Sequence, residues 1–265
     1  MQNIGNKAQL GIWIIIAVVL VAVIILFYLI NERNLPEIIK PGESESVFDA
    51  ESFLSSCIKE SVDEVTEIMI PQGGFREPRN YFLFNNTKVE YLCENIGLYS
   101  PCINQHPLLI DEIEGEIKKY IEPKLIECLD EMKREFESRR SRVVFNDDAS
   151  PEININLAED KIIINVKKKI SVTKQGETRS FENLNVEIKS PIYNLANIAR
   201  EIASQEAQYC YFEYVGYSLS YPRYEIRKFG TSEPTKIYTI KDLKSGKEMN
   251  IAIRSCAIPA GLSGR

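Results

Sequence analysis

The stretch Leu10–Ile30, LGIWIIIAVVLVAVIILFYLI, contains no charged side chain. A helix of about 21 residues rises about 32 Å, which matches the roughly 30 Å hydrocarbon core of a bilayer. Trp13 and Tyr28 lie near its ends, where amphipathic rings favour the membrane interface. A buried core helix is the alternative, but the length of the run and the absence of charge favour a membrane span. The sequence therefore predicts a transmembrane helix over residues 10–30.

The segments that flank this helix indicate how it is oriented. The apolar run exceeds the roughly 7–15 residues of a secretory signal, and no small-residue cleavage pattern follows it. Residues 1–9 form a short polar leader that contains Lys7, and basic residues favour the cytoplasmic side of a membrane. We therefore expect a retained single-pass anchor, with the N-terminus in the cytoplasm and the bulk of the chain outside it.

The motif Lys7-Ala8-Gln9-Leu10 consists of the last three residues before the apolar run and the first residue of that run. It resembles the class III signal peptide of archaeal type IV pilin-like, membrane-anchored surface proteins, in which a basic residue plus Gly or Ala ends the leader and Gln opens the helix. The resemblance implies that a membrane peptidase cuts between Ala8 and Gln9, that the helix is retained, and that processed helices can bundle into a filament core. It extends to archaeal surface proteins with two cysteine-bearing helices separated by a Gly-Gly turn, here Cys57-Ile58, Gly73-Gly74 and Cys128-Leu129.

All six cysteines lie beyond the apolar segment. An even number outside a membrane fits disulfides in an oxidising compartment, and the absence of a C-x-x-C pair disfavours a zinc ribbon. Six cysteines allow 15 connectivities, and buried free thiols are the alternative. We expect the pairs Cys57–Cys128, which would join two helices, Cys93–Cys102, which would close a short loop, and Cys210–Cys256, which would tie back the C-terminal strands.

Residues 31–46 are rich in Pro, Gly, Ser and Glu and read as a linker, followed over 47–138 by a helical part with a short hairpin. Apolar stripes predict amphipathic helices over 49–70 and 108–138, the second kinked at Pro123. Short strands are expected at 81–84 and 89–92 around an Asn85-Asn86 turn. Asn85 also begins the sequon Asn85-Asn86-Thr87, which makes it a glycosylation candidate.

Residues 139–265 change to a period of two, which predicts an antiparallel β-rich part. One helix interrupts it, with Ser190 as its N-cap and Pro191 at its first position. The expected fold class is therefore α+β: a transmembrane helix, then an extracytoplasmic domain of amphipathic helices packed on antiparallel sheet. The expected strands cover 153–157, 162–172, 184–188, 211–220, 224–229, 236–240 and 248–254.

Composition and motifs disfavour several functional classes. A net charge of −6 and a pI near 5.2 leave no bulk basic surface for nucleic acid. The single histidine, His106, and the Asp147-Asp148 pair match no metal or catalytic motif, so we expect neither a cofactor nor a metal, and no enzymatic activity. A remote alternative is an anchored serine hydrolase, because Ser56-Cys57-Ile58-Lys59 and Lys244-Ser245-Gly246 match two short motifs of penicillin-recognising enzymes.

A dense group of aromatic residues near the C-terminus is the remaining candidate site. Tyrosine offers a large, rigid contact area with a polar tip, so such a group suits a recognition surface, although packing of strands on helices would explain it as well. We expect a membrane-anchored cell-surface protein with a structural or adhesive role, with protein partners or self-association, and a pilin-like filament subunit is the sharpest version of this expectation. The alternative is a tethered module that binds a ligand or protein through Tyr211, Tyr214, Tyr217, Tyr221, Arg223 and Tyr224.

Overall fold

A computed structural model of the chain describes residues 19–21, 49–95, 97, 100–145, 150–231 and 234–255. The chain divides into two units, Met1–Val47 and Phe48–Arg265. In the first unit, Val19, Leu20 and Val21 are helical and exposed, and the remainder of the predicted transmembrane segment, with the leader and the linker, lies outside the described residues. Within the described ranges, no helix combines the length and the apolar character that crossing a bilayer requires.

Two long helices begin the second unit. Helix α1, Ala50–Met69, starts where the Asp49 carboxylate accepts hydrogen bonds from the backbone N–H groups of Glu51 and Ser52, both at 3.1 Å. A 3₁₀ turn at Ile70–Gln72 ends it, and helix α2 spans Leu109–Ser138 with Pro123 inside. The apolar stripe predicted for α2 is confirmed: its buried side chains include Ile113, Ile117, Ile121, Leu125, Cys128, Met132 and Phe136.

The first helices pack against a four-stranded antiparallel sheet. Its strands are β4 (Arg142–Phe145), β5 (Glu152–Ala158), β6 (Lys161–Lys174) and β7 (Glu177–Lys189). Strands β5, β6 and β7 form the predicted meander, and β6 alternates buried and partly exposed residues as its sequence pattern indicates. The pairing of β6 with β7 shifts register between Lys167 and Ile170. This interval contains Lys168, the charged residue that interrupts the apolar alternation of the sequence.

A second sheet contains one parallel pair, which differs from the expected antiparallel arrangement. It comprises β1 (Tyr81–Phe84), β2 (Thr87–Glu94), β3 (Ile103–Asn104), β8 (Tyr224–Gly230), β9 (Thr235–Asp242) and β10 (Glu248–Arg254), in the order β1-β2-β10-β9-β8 with β3 on β2. Strands β2 and β10 run parallel. Side-chain alternation reveals which residues face a core but not the direction of a neighbouring strand, so the sequence could not reveal this pair.

Two further helices follow the meander, and both correct the sequence-based expectation. Helix α3 is Ile192–Tyr209 and its N-cap position is occupied by Pro191, one residue later than predicted, although the Ser190 hydroxyl accepts a 3.4 Å hydrogen bond from the Ile192 N–H. The strand predicted at 211–220 is wrong, because Tyr214–Ser220 forms helix α4. Tyrosine favours strands, but the Glu213 carboxylate caps this segment by accepting from the Gly216 N–H at 3.2 Å.

The helical part and the β-rich part of the sequence share one fold. Strand β2 comes from residues before 138, whereas its neighbour β10 comes from the C-terminal segment. Helix α3 packs on both sheets, with contacts to β5 and β6 on one side and to β2, β9 and β10 on the other. The position 138/139 therefore separates two patterns in the sequence and is not a boundary between folded units.

Candidate functional site: an aromatic surface

Five exposed residues at the end of α3 and around α4 form the candidate site, which we call the aromatic surface. All five lie between positions 209 and 221 of the chain. Val215 and Leu219 lie four residues apart, which places them on one face of α4. Leu219 is 79% exposed, the largest exposed fraction among the large apolar side chains of the described residues. The members are Tyr209 (63% exposed), Tyr211 (45%), Val215 (53%), Leu219 (79%) and Tyr221 (54%).

The inner side of α4 fixes the orientation of this surface. Phe212, which is buried, lies 5.5 Å from the Tyr217 ring, and the Tyr217 ring lies 4.7 Å from that of Tyr221. Burial raises the pKa of the Tyr217 phenol. The Ser218 hydroxyl accepts a 3.1 Å hydrogen bond from the Ile226 N–H, which attaches α4 to β8. These contacts leave the opposite face of α4, with Val215 and Leu219, directed at solvent.

A buried ionic network supports one end of the surface. The carboxylate of Glu206 on α3 is fully buried and accepts hydrogen bonds from the Lys236 ammonium (2.6 Å), the Tyr238 hydroxyl (2.5 Å) and the Ser255 hydroxyl (2.7 Å). Lys236 also donates to the Cys210 carbonyl oxygen at 2.7 Å. Burial lowers the pKa of Lys236 and raises that of Tyr238. The network therefore holds the chain at Cys210, where it turns from α3 toward Tyr211.

A second ionic network supports the other end. The Arg223 guanidinium binds Asp242 on β9 through Nε–Oδ1 (2.8 Å) and Nη2–Oδ2 (3.1 Å), and Asp160, in the β5–β6 turn, through Nη1–Oδ2 (3.1 Å). Burial alone would raise the pKa of the fully buried Asp242, but hydrogen bonds from Arg223 and Ser245 outweigh it and lower the pKa. Hydrogen bonds from Arg223, then Lys244, lower the pKa of Asp160 to about 2. Arg223, two residues after Tyr221 in the chain, thus links the two sheets.

The charge around the aromatic surface is mixed. The Lys228 ammonium lies 5.2 Å from the Tyr211 ring centroid and 5.1 Å from that of Tyr214, within the range of cation–π attraction. The Tyr211 hydroxyl donates to the Glu213 carboxylate, and this hydrogen bond raises the pKa of Tyr211 and lowers that of Glu213. A rigid patch of apolar and phenolic groups flanked by one cation and one anion suits contact with another protein surface.

The sequence-based candidates for this surface divide into two groups. Tyr211 and Tyr221 are exposed members, whereas Tyr214, Tyr217 and Tyr224 are partly buried and pack against the core. Tyr224 also accepts a 3.0 Å hydrogen bond from the Asn194 side chain, and Arg223 belongs to the ionic network. The dense aromatic group of the sequence also includes Tyr209, whereas sequence reasoning missed Val215 and Leu219. The four-residue spacing of Val215 and Leu219 would have revealed them if the segment had been read as a helix.

Two of the three expected disulfides are present, Cys57–Cys128 between α1 and α2, and Cys93–Cys102 beside β3. Cys210 is also disulfide-bonded, while Cys256, its expected partner, lies outside the described residues. Asn85 is exposed at the tip of the β1–β2 hairpin, where a glycan could be accommodated. The processing residues Lys7, Ala8 and Gln9 and the Asp147-Asp148 pair also lie outside the described residues.

The residues considered for hydrolase chemistry have separate partners. The Ser56 hydroxyl donates to the Phe53 carbonyl oxygen, Lys59 pairs with Asp63, and Lys244 donates to Asp160 at 2.6 Å. No hydrogen bond joins any two of these three side chains in the described structure. In the same residues, no group of three or more His, Cys, Asp or Glu side chains has the arrangement of a metal site.

His106 lies between two carboxylates. Its Nδ1 is 2.6 Å from Glu112 Oε2 and its Nε2 is 3.5 Å from Glu90 Oε1, while the Phe75 ring lies 4.6 Å from the imidazole. Burial opposes the charged form of His106, but the hydrogen bonds to Glu90 and Glu112 outweigh it and raise the pKa. Through Glu112 and Glu90, His106 connects the start of α2 to β2, and we interpret this cluster as a structural contact.

Comparison with other proteins adds no relative to this picture. No protein-family model matches the chain, and neither a curated protein nor a solved structure shows significant similarity to it.

Proposed function

We propose that this chain is a membrane-anchored cell-surface protein with a structural or adhesive role, whose folded unit contacts a protein partner through the aromatic surface. The observation that carries the proposal is the exposure of Val215 and Leu219 between Tyr209, Tyr211 and Tyr221. Exposed apolar groups of this density, with aromatic neighbours, favour protein contacts. The uncharged segment at residues 10–30 and the disulfides support an anchored position in an oxidising compartment.

The rigidity of the surface favours binding over incidental exposure. Both ends are held by buried charges, Glu206 at one and Asp242 at the other, so little conformational freedom remains to be lost on association. The same geometry suits the second candidate function, a tethered module that binds a soluble ligand or protein. The pilin-like version of the proposal adds that the processed helix joins a filament, and it rests on the motif Lys7-Ala8-Gln9.

The aromatic surface is tested with the double variant Val215→Ser/Leu219→Ser in cells that carry the full chain. We expect the variant to reach the cell surface in normal amounts but to lose cell-to-cell or cell-to-surface attachment. Leu108→Ser is the matched control, because Leu108 is 63% exposed and lies at the N-cap position of α2, far along the chain from α4. Attachment that is the same in both variants and in the wild type would contradict the role of this surface.

The anchor and the leader are tested on the mature protein. We expect it to sediment with membranes, to be released by detergent, and to begin at Gln9 on N-terminal sequencing. A mature chain that begins at Met1 would remove the pilin-like processing, and a chain recovered free of lipid from the cytosol would remove the anchor itself. Envelope filaments that disappear on deletion of the chain, and return with the wild type, would establish the filament version.

A further inference from the structure

We infer that strand β1 pairs with β1 of a second copy of this chain, which joins two second sheets into one continuous sheet. Strand β1, Tyr81-Phe82-Leu83-Phe84, has β2 as its only described sheet neighbour. It carries no charged residue, whereas the other outer strands of four or more residues carry at least one each: Arg142 in β4, Glu152 in β5, Glu177 in β7 and Glu225 in β8. Charges on edge strands prevent pairing with other chains, and β1 lacks this protection.

Three of these outer strands, β5, β7 and β8, also have an edge N–H group covered by a side chain. The Glu114 carboxylate accepts from the Leu157 N–H of β5 at 2.7 Å, and Glu51 accepts from the Asn185 N–H of β7 at 2.9 Å. The Ser218 hydroxyl does the same for β8 at Ile226. No side chain in the described part of the molecule donates to or accepts from the backbone of Tyr81 or Leu83 in this way.

The register of the hairpin determines which groups of β1 face outward. In a two-residue hairpin closed by Asn85 and Asn86, Phe84 and Phe82 exchange backbone hydrogen bonds with their partners Thr87 and Val89. The N–H and C=O groups of Tyr81 and Leu83 therefore point away from β2. The side chains of these two residues are 42% and 59% exposed. Strand β1 thus offers two donors, two acceptors and apolar side chains at one edge.

This edge is complementary to itself. In an antiparallel pair with a two-fold axis at Phe82, Tyr81 of one copy lies opposite Leu83 of the other, so all four outward backbone groups of each copy find partners. The two Phe82 side chains then lie directly opposite each other on the other face. Phe82 and Phe84 are partly buried and already pack on the small core of Val89, Tyr91, Ile237 and Ala252. The second copy would extend this core across the axis, and no charge on either strand opposes it.

This inference is independent of the aromatic surface, because β1 and α4 are different elements with different exposed residues. It adds a partner, a second copy, to the proposed structural role. The pairing differs from the aromatic-surface contact in that it depends on backbone groups and on one particular register, so the two can be separated by experiment.

The register is tested by cysteine cross-linking of the full chain in detergent micelles. In the proposed pair, residues at position 82 face each other across a non-hydrogen-bonded site, where Cα atoms lie about 4.5 Å apart and a disulfide can form. We expect Phe82→Cys to give a covalent dimer on mild oxidation, and Leu83→Cys, which faces Tyr81, to give far less. Equal cross-linking of the two variants, or none in either, would overturn the inference.

Because Phe82→Cys also removes a packed ring, a second variant tests the pairing without touching the core. Leu83→Lys places a charge at the exposed edge, and we expect it to raise the dimer dissociation constant in sedimentation experiments by at least about tenfold. Val144→Lys is the control, since Val144 is an exposed strand residue on β4, 41% accessible. A chain that is monomeric at all concentrations, or a dimer that survives Leu83→Lys and is lost in Val215→Ser/Leu219→Ser, would contradict β1 pairing.

Discussion

At the scale of single residues, Arg223 joins the two sheets, because its guanidinium binds Asp242 of one and the turn residue Asp160 of the other. It was a candidate for binding from the sequence, yet its guanidinium is occupied by Asp160 and Asp242. Asp160 is distant in the chain and carries no motif, so no local pattern could have revealed this partner. The residue next to the aromatic surface therefore stabilises it and is not available for a ligand.

We predict that Arg223→Ala lowers the free energy of unfolding by about 2–3 kcal/mol, because it leaves the fully buried Asp242 without its cation. Arg227→Ala, which removes a surface pair with Glu248, should cost less than about 1 kcal/mol. Urea unfolding followed by circular dichroism measures both. Equal effects of the two substitutions would show that Asp242 does not depend on Arg223.

We also predict a pH dependence from His106, the only histidine in the chain. Its pKa is raised in the folded state by Glu90 and Glu112, so between pH 6.5 and the raised value the folded form binds more protons than the unfolded form. The stabilisation is complete below about pH 6.5 and is lost as the pH rises through the folded-state pKa. The stability advantage of the wild type over His106→Gln should therefore be larger at pH 6 than at pH 9. An advantage that grows with pH would contradict the ion pairs.

At the scale of elements, the turn after α1 illustrates how tightly two helices approach. Gly74 has φ +99°, and a Cβ atom there would lie 2.6 Å from Cδ1 of the buried Ile113 on α2. We predict that Gly74→Ala destabilises the fold by about 2–4 kcal/mol, from backbone strain and overpacking together.

Gly115 provides the matched control for Gly74. It lies inside α2, and a Cβ atom there would meet nothing within 4 Å. Gly115→Ala should raise stability by about 0.5–1 kcal/mol, because alanine favours the helix without a new contact. Thermal unfolding of the two variants should shift in opposite directions, and a shift in the same direction would contradict this account.

The elements also show what a sequence pattern can and cannot predict. Helices α1 and α2 and the β5–β6–β7 meander were predictable because their apolar spacing is long and regular. Helix α4 was not, because tyrosine favours strands and seven residues give too short a pattern to outweigh that preference. The error concealed two of the five residues of the candidate site, since Val215 and Leu219 share a face only if the segment is helical.

At the scale of the whole molecule, the two described disulfides differ in how much of the unfolded chain they restrict. Cys57 and Cys128 are separated by 71 positions, and Cys93 and Cys102 by 9. Loop-closure entropy predicts a stabilisation of about 4 kcal/mol for the first and about 2.5 kcal/mol for the second. The double variant Cys57→Ala/Cys128→Ala should therefore unfold at a lower urea concentration than Cys93→Ala/Cys102→Ala. The reverse order would show that local packing outweighs chain entropy.

The parallel pairing of β2 with β10 has a consequence for the synthesis of the chain. Residues 91 and 252 are neighbours in the sheet, and the chain from 92 to 251 must be made before they can meet. At about 5–20 residues per second, β2 waits on the order of ten seconds after it leaves the ribosome. During that interval α1 and α2 can associate, but the second sheet still lacks its central strand, β10. Until β10 is made, the apolar β1–β2 hairpin lacks its parallel neighbour and stays open to contact with other nascent chains.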